Sequence, residues 1–379
     1  MAAVLFYVAA GVSRRRWIDF KSPTVSNYWL CIIFLLTNAA NMLFSKLRVN
    51  EKRTILRERK MKHTVKKNGR WASRISSDAL CSRRNFLQAT LAGTAFVTIA
   101  PAILSEPQPS AIGGKAVETV SLGKTGIKAS RLAFGTGFNG YNRSSELTRR
   151  GKEQFEAVAR KVLDEGITFF DMADLYGSHP FVREAIKNAK RDKLVLLSKI
   201  WPRKEKWVTP SGGAKEEIER FRTELGVEWL DICLIHCMLN DKWVEEYAKI
   251  RDELDELKAR KVVRAVGVSC HHFGALKIAA QHPWVDVIFA RINNRGGKDF
   301  IMDGSTEEVS AVLKQARANG KVVVGMKIFG AGKLTKPEEK DASLKYVWEN
   351  QLVDAITIGF LKPEEVTDTI SRMNAVLKG

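Results

Sequence analysis

Thr168-Phe169-Phe170-Asp171-Met172-Ala173-Asp174-Leu175-Tyr176-Gly177 runs from an apolar strand directly into a carboxylate, and five residues later reaches a phenol and a glycine. The strand-favouring residues before Asp171 place it at the end of a buried strand. A carboxylate at a strand end with a tyrosine one turn on suits proton chemistry. The plainer alternative has Asp171 capping the next helix and Tyr176 packing. Two later strands favour the chemistry, because they too end in ionisable groups: Lys199 closes the run 193–199 and His236 closes 230–236.

Outward from this stretch the pattern alternates. Strands are expected at 131–137, 168–172, 193–199, 230–236, 263–269, 285–292, 322–327 and 355–358. Helices are expected at 148–165, 180–189, 214–225, 243–260, 273–281, 306–318, 342–350 and 363–377. The strands are continuous apolar runs, as parallel strands covered on both faces should be. Eight strand-then-helix units in about 250 residues are the size of a (β/α)8 barrel. A β-hairpin turning through Leu122-Gly123-Lys124-Thr125-Gly126 precedes them, so the barrel domain is expected over 116–379. An open doubly wound sheet is the competing fold. Gly135-Thr136-Gly137-Phe138-Asn139-Gly140 has the glycine spacing of its dinucleotide turn, but the next helix starts too late and no acidic residue follows at the expected strand end.

The net charge of +20 suggests nucleic acid until its distribution is read. Residues 1–111 hold 18 Lys and Arg against 5 Asp and Glu, and the remaining residues 44 against 37. The excess sits in the leader, so no nucleic-acid partner is expected of the barrel. Within that leader, 28–44 is apolar but interrupted by Thr37, Asn38 and Asn41, at the short end for a membrane span. Cys81-Ser82-Arg83-Arg84-Asn85-Phe86-Leu87-Gln88, the apolar run 89–104 and Ala100-Pro101-Ala102 resemble a twin-arginine translocation signal with a cleavage site. Residues 61–111 are therefore expected to be an export leader addressed to the twin-arginine machinery. Residues 1–60 are expected to be an upstream extension or a membrane anchor. The expected location is periplasmic or exported, with membrane-anchored or cytoplasmic as the alternative. Of five cysteines only Cys233, Cys237 and Cys270 lie beyond the leader, in or beside strands, which suits folding in a reducing compartment.

In a (β/α)8 barrel the strand ends converge on one pocket. A carbonyl that accepts hydride at carbon needs a proton at oxygen, and a tyrosine is protonated at neutral pH. A nearby ammonium, Lys199, would favour the phenolate and make Tyr176 a stronger acid. Asp171 would keep that lysine charged, and His236 would hydrogen-bond the carbonyl oxygen. LGKTGIKASRLAFGTGF, ITFFDMADLYG, LLSKI, LDICLIH and KVVRAVGVS together resemble the aldo-keto reductases from about Val117 to the C-terminus. The resemblance implies an NAD(P)H-dependent oxidoreductase acting on a small carbonyl substrate, with Asp171, Tyr176, Lys199 and His236 catalytic. It also implies that Gly135, Thr136, Asp171, Ser269, Met326, Lys327 and Gly359 lie along the cofactor, NADP or NAD.

Four positions depart from the family pattern. Cys270 stands where asparagine is usual, Phe289 replaces a common glutamine, and Met326 replaces the tyrosine that stacks on nicotinamide. Glu365 falls where an arginine often meets the 2′-phosphate, so the choice between NADPH and NADH stays open. Arg291, Lys327 and Lys362 are alternative phosphate contacts. Two other readings remain. One is a non-catalytic barrel that binds a ligand or serves as an accessory protein. The other is a zinc barrel using Cys237, Cys270, His271 and His272, although no Cys-x-x-Cys pair supports metal.

Overall fold

A computed structural model describes residues 113–378. The interrupted apolar stretch 28–44, the paired arginines Arg83 and Arg84 and the cleavage pattern at 100–102 lie outside the described residues.

The hairpin forms as expected: β1 (Thr119–Ser121) and β2 (Lys128–Ser130) pair antiparallel, Val120 opposite Ala129. Eight parallel strands follow and close on themselves. They are β3 (Leu132–Gly135), β4 (Phe169–Asp171), β5 (Val195–Ile200), β6 (Leu230–Met238), β7 (Val263–Cys270), β8 (Val287–Arg291), β9 (Val322–Met326) and β10 (Ala355–Gly359). Sequential neighbours pair throughout, and β10 pairs with β3, Gly359 opposite Gly135, to shut the barrel. The open doubly wound sheet is thereby excluded.

Two apolar layers follow from the period of two along a strand. Alternate residues of the barrel strands, among them Ala133, Phe169, Leu197, Leu234, Phe289, Val324 and Ala355, fill the interior with Leu122, Ile127 and Ala129 of the hairpin segment. The residues between them, such as Phe134, Phe170, Leu196 and Ile235, pack outward against the helices. Moving two residues along each inward row therefore gives the inward position at the C-terminal end. It is Gly135 on β3, Asp171 on β4, Lys199 on β5, His236 on β6, Phe289 and then Arg291 on β8, Met326 on β9 and Thr357 on β10.

The helices are α1 (Glu146–Arg149), α2 (Lys152–Asp164), α3 (His179–Ile186), α4 (Ala214–Leu225), α5 (Trp243–Glu246), α6 (Ala248–Ala259), α7 (Phe273–Ala279), α8 (Thr306–Ala318), α9 (Pro337–Glu349) and α10 (Pro363–Lys378). Two expected helices are each broken in two. The run 148–165 divides at Gly151, whose φ of +91° is incompatible with a continuous helix. The run 243–260 divides at Tyr247, outside the helical region at φ −113° and ψ 27°. Helix α9 starts five residues before the expected 342, with Pro337 in its first turn and Glu338 and Glu339 beside it. Among the described residues no helix is long and apolar enough to cross a membrane.

Candidate active site

The four expected catalytic residues meet at the C-terminal mouth of the barrel. Lys199, 1% exposed, ion-pairs with Asp171 and donates a second hydrogen bond to the Met172 carbonyl at 2.9 Å. The other Asp171 oxygen accepts from the Thr357 hydroxyl at 2.9 Å, so the carboxylate ties β4 to β5 and to β10. Below the ammonium lies Phe289, with Nζ 5.1 Å from its ring centroid; Tyr176 offers a second ring at 4.9 Å. Phe289 thus forms a cation–π floor under Lys199, a role that its replacement of glutamine did not announce.

Tyr176 reaches the mouth from a 3-10 turn, Asp174–Tyr176, which ends at Gly177 in the left-handed region, φ +59°. The ring lies against Gly137, where a Cβ would come within 2.2 Å of it, so only glycine admits the tyrosine there. Its hydroxyl is 3.4 Å from His236 Nε2, and the two rings meet edge-on with centroids 5.6 Å apart.

Burial dominates the electrostatics. It pushes the Tyr176 phenol well above its ordinary value, and the Asp171 carboxylate adds to the rise. Burial and Asp171 thus hold the tyrosine as a phenol, as proton donation requires. Burial also lowers the Lys199 ammonium, with Asp171 opposing only in part. His236 is driven well below its usual value by burial, then by Lys199 and His271, so the imidazole is neutral at physiological pH.

A buried ionic cluster under the tyrosine turn escaped the sequence reading. Asp174, 1% exposed, pairs with Arg143 and, at 2.8 Å, with Arg220. Glu224 joins Arg143, Arg220 and His179 at 2.7–2.8 Å. His179 Nε2 is 2.8 Å from the hydroxyl of Ser198, the neighbour of Lys199. Ser178 meets the Thr136 hydroxyl, which donates to the Asp171 carbonyl. The turn carrying Tyr176 is therefore anchored to both strands that carry the lysine and the aspartate.

A cavity of about 340 Å³ opens beside Asp171 and Tyr176. It is bordered by Gly135 and Met326, by Lys327 and Gly359, and at its far end by Glu365 and Asp368 of α10. Gly135, Asp171, Met326, Lys327 and Gly359 thus line one space. Thr136 and Ser269 do not line it. The Thr136 hydroxyl is occupied as above, and the Ser269 hydroxyl accepts from the Cys237 amide at 2.8 Å, holding the bulge at the end of β6. Lys362 borders a separate shallow cavity, and Arg291 ion-pairs with Asp303, so of the alternative phosphate contacts only Lys327 faces the space beside Tyr176.

A dinucleotide fits these residues. The volume lies within the range of small-ligand sites. Lys327 and Lys340 line the cavity without an ion-pair partner among the described residues, as diphosphate neutralisation requires. The zinc alternative is not supported: among the described residues no three His, Cys, Asp or Glu side chains are grouped to hold a metal. His272 instead caps α7 by accepting from the Ala275 amide.

Comparisons with known proteins bear on the family and the fold. The aldo/keto reductase family model matches residues 131–378. An aldo-keto reductase, YhdN, of Bacillus subtilis is 32% identical over 164 residues, 40% of this chain and 47% of that one. An NADH-specific methylglyoxal reductase of Escherichia coli is 25% identical over 246 residues, 59% of this chain and 71% of its own. The chain spans about half the length of the first relatives it matches. A holo aldo-keto reductase from Bacillus halodurans superposes with a TM-score of 0.53 at 18% identity, over 69% of this chain and 95% of that one, which bears on the fold alone. On the match of 131–378, the chain belongs to the aldo/keto reductase family.

Proposed function

We propose that this protein is an NAD(P)H-dependent oxidoreductase that reduces an aldehyde or ketone, with Tyr176 as the proton donor. The observation that carries the proposal is the convergence of Tyr176, His236 and the Lys199–Asp171 pair at one end of a cavity that suits a dinucleotide.

A bound reduced nicotinamide supplies the hydride. The chain's own residues supply the rest. The carbonyl oxygen is received between the Tyr176 hydroxyl and His236 Nε2. Neutral His236, as the Nε2–H tautomer, donates to that oxygen and fixes its direction without competing for the proton. Tyr176, kept as a phenol by burial, gives its proton to the oxygen as negative charge develops there. Lys199 faces the tyrosine ring and stabilises the phenolate left behind, and Asp171 with Thr357 holds the ammonium in place. The low-dielectric mouth strengthens each of these interactions.

Replacing Tyr176 with Phe removes one oxygen and keeps the ring in its glycine-lined space. Tyr176→Phe is expected to lower carbonyl reduction by at least about a thousandfold, with NADH and NADPH still quenching tryptophan fluorescence. Normal turnover in that variant would remove Tyr176 from the mechanism. A wild-type protein that binds neither cofactor would instead favour a ligand-binding barrel.

A further inference from the structure

The carbonyl-reductase proposal leaves the substrate open, and the loop after β5 narrows it. That loop carries Trp201 and Arg203 to His236. The Trp201 ring meets the imidazole edge-on, centroids 5.8 Å apart, and the Arg203 guanidinium lies 4.2 Å from the centre of the Trp201 ring. One imidazole thus joins the proposed proton donor, on its Tyr176 side, to an arginine stacked on a tryptophan.

Two obligate donors in this arm lack a partner. Trp201 Nε1 and Arg203 Nη1 are both buried, and neither atom meets an acceptor among the described residues. A buried donor left unpaired is destabilising, so the arm is suited to receive an acceptor from outside. The charges point to the same chemistry. Lys199 is matched by Asp171 and Arg291 by Asp303, whereas Arg203 has no carboxylate partner among the described residues. The Cys237 thiol, which lies against Arg203, is pushed up by burial and does not neutralise it. Glu246, on the following segment, is held by the Asn240 side chain.

We infer that Trp201 and Arg203 form a carboxylate subsite, and that the substrate is an aldehyde or ketone carrying a carboxylate within reach of its carbonyl. A guanidinium receives a carboxylate through two parallel hydrogen bonds, and stacking on Trp201 fixes its plane. The single uncompensated charge of Arg203 matches one carboxylate.

The inference rests on the reductase reading, so its test has an arm that needs no turnover. Reduction of 4-carboxybenzaldehyde and of benzaldehyde by the full-length protein gives a ratio of kcat/KM. Wild type is expected to favour the carboxylated substrate by about tenfold or more, the worth of one charge-assisted hydrogen bond. Arg203→Gln should remove most of that ratio, chiefly through KM, and Arg203→Lys should restore part of it. An unchanged ratio in Arg203→Gln would overturn the subsite. Calorimetric titration with 4-carboxybenzyl alcohol and with benzyl alcohol provides the second arm. Tighter binding of the carboxylated alcohol that depends on Arg203, in a protein that reduces neither aldehyde, would sustain the subsite and sink the reductase. Equal binding of the two alcohols by wild type would sink the subsite whatever the turnover.

Discussion

Tyr176, His236 and Lys199 were named from their positions alone, but their protonation follows from burial, which the sequence does not display. Each is driven toward its neutral form: the phenol upward, the imidazole and the ammonium downward. The proposed reduction needs the protonated tyrosine and gains from the charged lysine. The rate is therefore expected to fall only as pH rises, and the lowered lysine sets the first alkaline limb, below its ordinary 10.5. Between about pH 6 and 8 the kcat/KM profile should be flat, because His236 does not titrate there. An acidic limb near 6.5 that disappears in His236→Gln would mean that the imidazolium takes part. At this scale the sequence was legible wherever a polar residue interrupted an apolar strand. Thr357, a hydroxyl inside the strand Ala355–Gly359, carried that signal and was passed over. Phe289 gave none, since a phenylalanine in a strand announces only core.

The strands were more legible than the elements that orient their chemistry. Where a barrel strand carries a polar residue near its C-terminal end, as β4, β5 and β6 do, the period of two turns it inward, so register delivers Asp171, Lys199 and His236. Arg143, Asp174, Arg220 and Glu224 gave no such signal, because nothing local brings residues separated by up to 81 positions together. Their cluster under the tyrosine turn makes a prediction in acid. Burial of Glu224 opposes ionisation, but His179 and Arg220 outweigh it and hold the carboxyl at about 2, below its ordinary 4.5. A depressed carboxylate contributes stability that is whole above the unfolded value of 4.5 and lost as pH falls toward about 2. His179, lowered from 6.5 by burial, adds a loss that begins as pH falls through 6.5. Glu224→Gln should accordingly cost about 2 kcal/mol at neutral pH, about 4–8 °C in Tm, and much less near pH 3. A cost that persists undiminished in acid would show that the carboxylate charge is not what holds the turn.

Across the whole molecule, closure and ligand site coincide. The cavity draws on β3 and β10, which seal the barrel, and on α10, which ends the described chain, as well as on the loop after β9. A ligand that fills it bridges the first and last barrel strands, so it stabilises the strand pairing that closes the barrel. At about 100 times its Kd a cofactor adds about 2.7 kcal/mol to stability, which for a barrel of this size is about 5–10 °C in Tm. On the proposed reading, the far end of the cavity sets which cofactor gains more. Glu365 is fixed there, accepting the Leu361 amide at 2.7 Å, and Asp368 stands beside it. A 2′-phosphate brought against two carboxylates meets repulsion that a ribose hydroxyl does not. At equal concentrations NADH should therefore raise Tm more than NADPH, and Glu365→Arg should reverse the order. A larger shift with NADPH in the wild type would mean that Lys327 and Lys340 outweigh the carboxylates, and no shift with either would remove the dinucleotide from the cavity.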